Sequence, residues 1–219
     1  MTITRLNWLS LVFLLAMFGL AAWFYPDLPD PMPSHWNADG EVDDWMPLPW
    51  GALIIPLVTA ALWLMFAVLP AISPKGFRLD AARRAYDIIW FVLMLFMGAI
   101  QLTTYLEAMG RGGPGVEQIV PFMVGGLFIL IGNYLNKFPR NFFVGIRTPW
   151  TLASDEVWNR THRLGSWVFI IVGLLIALTA FLPNAMTLFI PAVIVVALVP
   201  VFYSLWLYKR LEGFEAQEE

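Results

Sequence analysis

Apolar residues in this chain gather into long uninterrupted stretches separated by short polar segments. Six stretches reach spanning length, at about 6–25, 49–72, 86–108, 118–136, 165–182 and 185–208. Around 20 residues rising 1.5 Å each match the ~30 Å hydrocarbon layer of a bilayer. The pattern therefore predicts an all-α integral membrane protein with six transmembrane helices. Pro56, Pro121, Pro191 and Pro200 fall inside these stretches. Membrane helices tolerate such prolines where neighbouring groups satisfy the freed carbonyls, and each marks a place for a kink. The last two stretches are separated only by Leu182-Pro183-Asn184-Ala185, which reads as a turn.

Composition agrees. Hydrophobic residues make up 59% of the 219 and charged residues 13%, with a mean hydropathy of +0.70. A soluble domain carries about a quarter charged residues, so this chain has too few to cover a water-facing surface. The reading is a single membrane domain over 1–219, with an N-terminal half at 1–108, a C-terminal half at 118–210 and an acidic tail at 211–219. The absence of cysteine excludes disulfides, thiolate metal sites and thiol catalysis. Arg5 followed by an apolar run also fits the start of a signal peptide. That run is long and continues through Trp23, Phe24 and Tyr25 with no small-residue cleavage site, which favours an uncleaved first helix.

Charge sets the direction. Arg5 precedes the first stretch. Lys75, Arg78, Arg83 and Arg84 lie between the second and third; Lys137, Arg140, Arg147, Arg160 and Arg163 between the fourth and fifth. Lys209 and Arg210 follow the sixth, leaving Arg111 alone on the opposite side. The first loop, 26–48, holds no Lys or Arg and six acids: Asp27, Asp30, Asp39, Glu41, Asp43 and Asp44. Basic residues stay cytoplasmic, so both termini are expected inside and the acidic loop outside, in a bacterial inner membrane. Trp23, Tyr25, Trp45 and Trp50 flank the outer loop, while Trp206 and Tyr208 end the last helix, where amphipathic rings meet headgroups.

Two loops are more than connectors. In the outer one, Pro26, Pro29, Pro31 and Pro33 call for an extended, stiff run. His35-Trp36-Asn37 follows, then the turn signal Asp39-Gly40 and the carboxylates Glu41, Asp43 and Asp44. His35, Asn37, Asp39, Gly40 and Asp43 are the candidates for binding an extracellular ligand, and His35, Asp39 and Asp43 for a divalent cation. A rigid solvated turn whose histidine caps a backbone group accounts for the same residues. The spacing does not follow the calcium-loop pattern.

The inner loop, 137–164, packs Asn141, Gly145, Arg147, Thr148, Pro149 and Trp150 into a polar turn. Ser154 before Asp155 and Glu156 reads as a helix start, with acids at the positive end of the dipole. Trp158, Thr161 and His162 would then share one face, and Arg160 and Arg163 another. This predicts a short interfacial helix leading into the fifth span. It serves either as a basic segment holding lipid phosphates or as a cytoplasmic recognition element.

The strings Gly132-Asn133-Tyr134, Asn141-Phe142-Phe143-Val144-Gly145-Ile146-Arg147-Thr148-Pro149-Trp150-Thr151-Leu152 and Ser154-Asp155-Glu156-Val157-Trp158-Asn159-Arg160-Thr161-His162-Arg163 resemble the signature of the SdpI family. These are bacterial membrane immunity proteins named for protection against a secreted killing peptide. The outer string Leu28-Pro29-Asp30 with Pro33-Ser34-His35-Trp36-Asn37 through Asp43 is similar to the uncharacterised domain that often precedes that signature. The resemblance covers about residues 20 to 180. It implies a cytoplasmic-membrane protein tied to toxin-peptide immunity or envelope-stress signalling, with a secreted toxin peptide outside and a cytoplasmic regulator inside as partners.

Catalytic motifs are missing from the sequence: there is no HExxH, GxSxG or phosphate-cradling glycine loop. His35 with the outer acids, or His162 with Asp155 and Arg147, are the sets an enzyme would have to use. Within the spans Gln101, Glu107 and Asn133 stand out as polar, and the helices otherwise read as a nearly featureless scaffold. The expectation is a non-enzymatic immunity or signalling protein, with no cofactor and no nucleic-acid partner. The alternative is a small-solute or ion transporter built from two inverted three-helix halves.

Overall fold

A computed structural model describes residues 4–37, 40–74, 79–182 and 185–213. Six long helices account for the six predicted spans: α1 (Arg5–Phe24), α2 (Trp50–Val68), α3 (Arg83–Ala108), α4 (Val116–Leu135), α6 (Asp155–Thr179) and α7 (Ala185–Leu211), with the short α5 (Pro149–Ala153) between α4 and α6. All six are long and apolar enough to cross a membrane. Their outward faces carry Leu174, Leu175, Leu178, Ile190, Ile194, Leu198 and Phe202, side chains suited to lipid rather than water. Pro56, Pro121, Pro191 and Pro200 all lie inside helices. The turn at Pro183-Asn184 and the tail beyond 213 lie outside the described residues.

The helices form two groups of three, α1–α2–α3 and α4–α6–α7, joined mainly where α3 meets α4. The α4–α6 contact is the most extensive, and small residues make it so. A Cβ on Gly125 would lie 2.5 Å from the Gly173 carbonyl, and one on Gly173 2.8 Å from the Gly125 carbonyl. In lipid, where burying leucine against leucine gains little, such backbone proximity and its dispersion contacts drive helix association.

The first group is tied by polar crosslinks, which corrects the reading of the spans as featureless. Near one end, Arg83 Nε lies 3.0 Å from Asp87 Oδ1, and Arg83 Nη2 donates to Asn7 Oδ1 at 2.8 Å. Asn7 Nδ2 in turn donates to Asp87 Oδ1 at 3.2 Å. Trp63 Nε1 donates to Ser10 Oγ, and Tyr86 OH to the Phe66 carbonyl. Toward the other end, Gln101 Nε2 donates to the Met17 carbonyl at 2.9 Å and to Tyr105 OH at 3.0 Å, while Tyr105 OH donates to the Ala52 carbonyl. With no water in the hydrocarbon layer, each polar group needs a protein partner. Here most of these partners sit on another helix.

The loop between α1 and α2 goes beyond the extended proline run and turn read from the sequence. It folds into an antiparallel hairpin, β1 (Met32–Trp36) and β2 (Val42–Met46), so the helical protein carries one small sheet. Met32 pairs with Met46 and Trp36 with Val42, with irregular register between. A lone hairpin is marginal in water; this one is pinned by Met32, which is fully buried in a cluster with Ala21, Leu28, Ala52 and Tyr105. Gly51 lets it in, since a Cβ there would sit 2.9 Å from Met32 Cβ.

Arg84 and Lys137 line one cavity, so the start of α3 and the end of α4 lie on the same side of the bundle. The first turn of α1 joins them through Asn7, and the end of α7 joins through Ser154 Oγ, which donates to Glu212 at 2.8 Å. On the opposite side the hairpin meets Gly40 against Glu117, and Arg111 lies 4.0 Å from Asp27. Arg83, Arg84 and Lys137 thus lie at the end of the bundle opposite the acidic loop, while Arg111 lies on the acidic side.

Candidate functional site at the two membrane faces

In the hairpin, Asn37 makes the turn. Its N–H donates to the Glu41 carbonyl at 2.8 Å, its carbonyl accepts from Gly40 N–H, and its Oδ1 accepts from Glu41 N–H at 3.0 Å. Gly40 has φ +80°, a conformation glycine adopts without steric cost. The turn brings His35 Nδ1 to 2.5 Å from Asp43 Oδ1, with the two side chains 67% and 45% exposed. His35 therefore pairs with a carboxylate across the strands rather than capping a backbone group. Glu41, Asp43, Asp44 and Trp45 are exposed beside it, giving an acidic surface with an aromatic edge. Asp39 lies outside the described residues, and among the described residues no group of three or more His, Asp or Glu side chains gathers to hold a metal ion.

The opposite face is built around Asn141, which is fully buried and uses its whole side-chain amide. Nδ2 donates to the carbonyls of Pro139 and Val144 at 2.9 and 3.0 Å, and Oδ1 accepts from the N–H groups of Phe143 and Val144 at 2.9 and 2.7 Å. The next turn ends at Thr148, the N-cap of α5, with Thr151 completing a capping box and Pro149 at the first helical position. Thr148 Oγ1 lies 3.0 Å from Ser204 Oγ on α7, and Thr151 Oγ1 donates to the Ile146 carbonyl at 2.8 Å. Arg147 is exposed and donates to the Phe142 carbonyl; Trp150 is half-buried.

Ser154 starts a helix as expected, accepting from Val157 N–H. The predicted short interfacial helix is instead the first two turns of one continuous helix, α6. Its buried face runs from Val157, Trp158, Thr161 and His162 through Gly165 and Ser166 to Val172 and Ile176, at helical spacing throughout. Nothing in that face interrupts the helix. Arg160 and Arg163 lie on the exposed side.

His162 is the hub. Its ring stacks on Trp158 with centroids 3.9 Å apart. Nε2 accepts from Ile146 N–H at 3.0 Å, and Nδ1–H donates to the Trp158 carbonyl at 2.8 Å. Both bonds are satisfied together only by the neutral ring with its proton on Nδ1. Gly145, at φ +117°, passes over this ring so closely that a Cβ would lie 2.4 Å from Nε2. Trp158 Nε1 donates to the Phe138 carbonyl at 2.8 Å. Arg140 Nη1 donates to the Leu152 carbonyl, and its Nε lies 2.8 Å from Asp155 Oδ1. The grouping of His162 with Asp155 and Arg147 is therefore not assembled: each has other partners.

Of the inner motif, Asn141, Gly145, Thr148, Trp158 and His162 converge on one knot, while Arg147 and Pro149 face outward. Thr161 is buried beside the knot with no partner for its Oγ1 among the described residues. The Asn7–Arg83–Asp87 cluster escaped the sequence reading, although Arg and Asp at i, i+4 at the head of a span were a visible signal.

Comparison with known proteins follows these two elements. The SdpI/YfhL protein family matches residues 137–204, which hold the knot, α5, α6 and most of α7. A domain of unknown function, DUF1648, matches residues 12–60, which hold the hairpin and parts of α1 and α2. The immunity protein SdpI of Bacillus subtilis (strain 168) is 27% identical over 211 residues, covering 94% of this chain and 98% of that protein. No solved structure matches. This multi-pass membrane protein thus resembles the SdpI/YfhL family in its C-terminal half and the immunity protein over nearly its full length.

Proposed function

We propose that the protein is a membrane immunity protein that protects a bacterium against a secreted antimicrobial peptide. It acts without catalysis, by binding its ligand at the outer face. The observation that carries this reading is the similarity to an immunity protein over 94% of the chain. The hairpin adds a place for the encounter, since His35, Asp43 and Asp44 are exposed there. An acidic surface with an aromatic rim attracts a cationic amphipathic peptide and suits its approach to the bilayer. In this reading both termini are cytoplasmic in the inner membrane, which the segregation of basic residues supports. The inner knot serves as a lock that holds α4, α6 and α7 in register.

The test is a challenge assay. Expression of the protein in a strain sensitive to a secreted peptide of the producing organism should raise survival above that of an empty-vector control. No gain with any such peptide would overturn the immunity reading. Uptake of a labelled solute by proteoliposomes would favour a carrier in its place.

A further inference from the structure

The two groups of helices meet along α3 and α4, and this seam opens at its basic end. A cavity of about 370 Å³ lies there, with Arg84 on one wall and Lys137 on the other. Ala82 and Ala85 keep it open, because their side chains are too small to fill it. Lys137 Nζ stands 4.3 Å over the Tyr134 ring, which holds the ammonium at the cavity mouth. Neither Arg84 nor Lys137 has an ion-pair partner among the described residues. Two cations facing a shared space call for an anion.

What lies below the cavity identifies the kind of anion. Ile88 and Tyr134 also line a shallow apolar crevice along the same two helices, continued by Val92 and Leu127, which are only partly buried, and by Leu130, which is exposed. From Arg84 to Val92 is about 12 Å along a helix, close to the roughly 15 Å depth of one leaflet. A free phosphate would use the cations alone. A molecule with a charged head and an apolar chain would use both spaces.

We propose that the seam holds one anionic phospholipid, its phosphate between Arg84 and Lys137 and an acyl chain lying along the crevice on the outer surface of α3 and α4. The lipid bridges the two three-helix groups at the seam that joins them. A second cavity, lined by Arg160, Arg163 and Trp167, offers a contrast. There Arg160 is already paired with Glu156, so it serves as a control for charge alone.

Native mass spectrometry of the full-length protein in detergent tests this, with phosphatidylglycerol and phosphatidylcholine of identical acyl chains supplied in equal amounts. One phosphatidylglycerol should be retained in preference. Each basic residue near an anionic headgroup is worth about fivefold, so R84Q/K137Q should lower its retention about 25-fold. R160Q/R163Q should leave retention unchanged. Ile88→Trp, which fills the crevice without altering charge, should also weaken it. Equal retention of both lipids, or retention unaffected by R84Q/K137Q, would overturn the proposal. So would displacement of the lipid by millimolar inorganic phosphate, which would assign the site to a free anion. The lipid measurement involves no toxin, so its failure is separate from failure of the immunity reading.

Discussion

Replacing Arg83 by alanine is expected to destabilise the protein by about 3–5 kcal/mol, the loss typical of a buried ion pair stripped of one member. Asp87 is 3% exposed and lies in the first turns of a membrane-spanning helix. Its carboxylate has two side-chain partners, Arg83 and the Asn7 amide. Without the guanidinium, a negative charge stays in a low-dielectric site with one neutral donor. The midpoint of unfolding in detergent, followed by tryptophan fluorescence, should fall accordingly. Arg83→Gln with Asp87→Asn in the same chain should recover most of the loss, because a neutral pair removes the stranded charge and keeps the hydrogen-bonding shape. If Arg83→Ala and the double variant lose stability equally, the cluster is not acting as an ion pair.

Gly145→Ala is expected to cost about 2–5 kcal/mol, from two sources acting at one atom. An L-residue at positive φ is strained by about 1–2 kcal/mol. Forcing a methyl into a filled space adds about 1–3 kcal/mol. The new Cβ would sit 2.4 Å from His162 Nε2, where the ring accepts from Ile146 N–H. The ring cannot retreat without unstacking from Trp158 and releasing the Trp158 carbonyl. Coupling is the sharper readout. His162→Ala alone leaves the Ile146 N–H without its partner, yet it empties the space the methyl needs. Gly145→Ala in that background should therefore cost at least 1 kcal/mol less than in the native chain, as residues in contact commonly do. Additive losses would mean that the glycine is required for its backbone alone.

These two sites show what the sequence could reveal and what it could not. The six spans were legible because stretch length and basic-residue asymmetry are one-dimensional signals, and the observed helices differ from the expected ones mainly at their ends. The fifth span begins at Asp155, ten residues earlier than stretch length alone predicts. Its first turns are polar on the exposed side and buried through Trp158, Thr161 and His162 on the other. That mixture looks interfacial until α4, α5 and α7 are seen to cover it. The hairpin was hidden for a related reason. Four prolines argue for extended chain, but pairing depends on a turn at Asn37 and on Met32 reaching a pocket opened by Gly51. Asn7, Arg83 and Asp87 meet across 80 residues of sequence, a distance no local pattern encodes. The inner motif was visible as unusual composition. Only the geometry distinguishes a lock, in which Asn141 and His162 spend their hydrogen bonds inward, from a surface offered to a partner.

The central claim is a division of labour: the outer hairpin meets the peptide, and the inner knot holds the helices. His35→Ala with Asp43→Ala separates the two most directly. The pair is exposed, and an exposed ion pair is worth about 0–1 kcal/mol, so folding and membrane level should be retained. Losing a charge-assisted contact to a ligand costs about 1.5–3 kcal/mol, equivalent to about tenfold to a hundredfold in affinity. In the challenge assay, at matched protein level, cells carrying the double variant should succumb at about tenfold lower peptide concentration than cells carrying the native chain. Full protection by the double variant would contradict the account and move the peptide's site away from the hairpin.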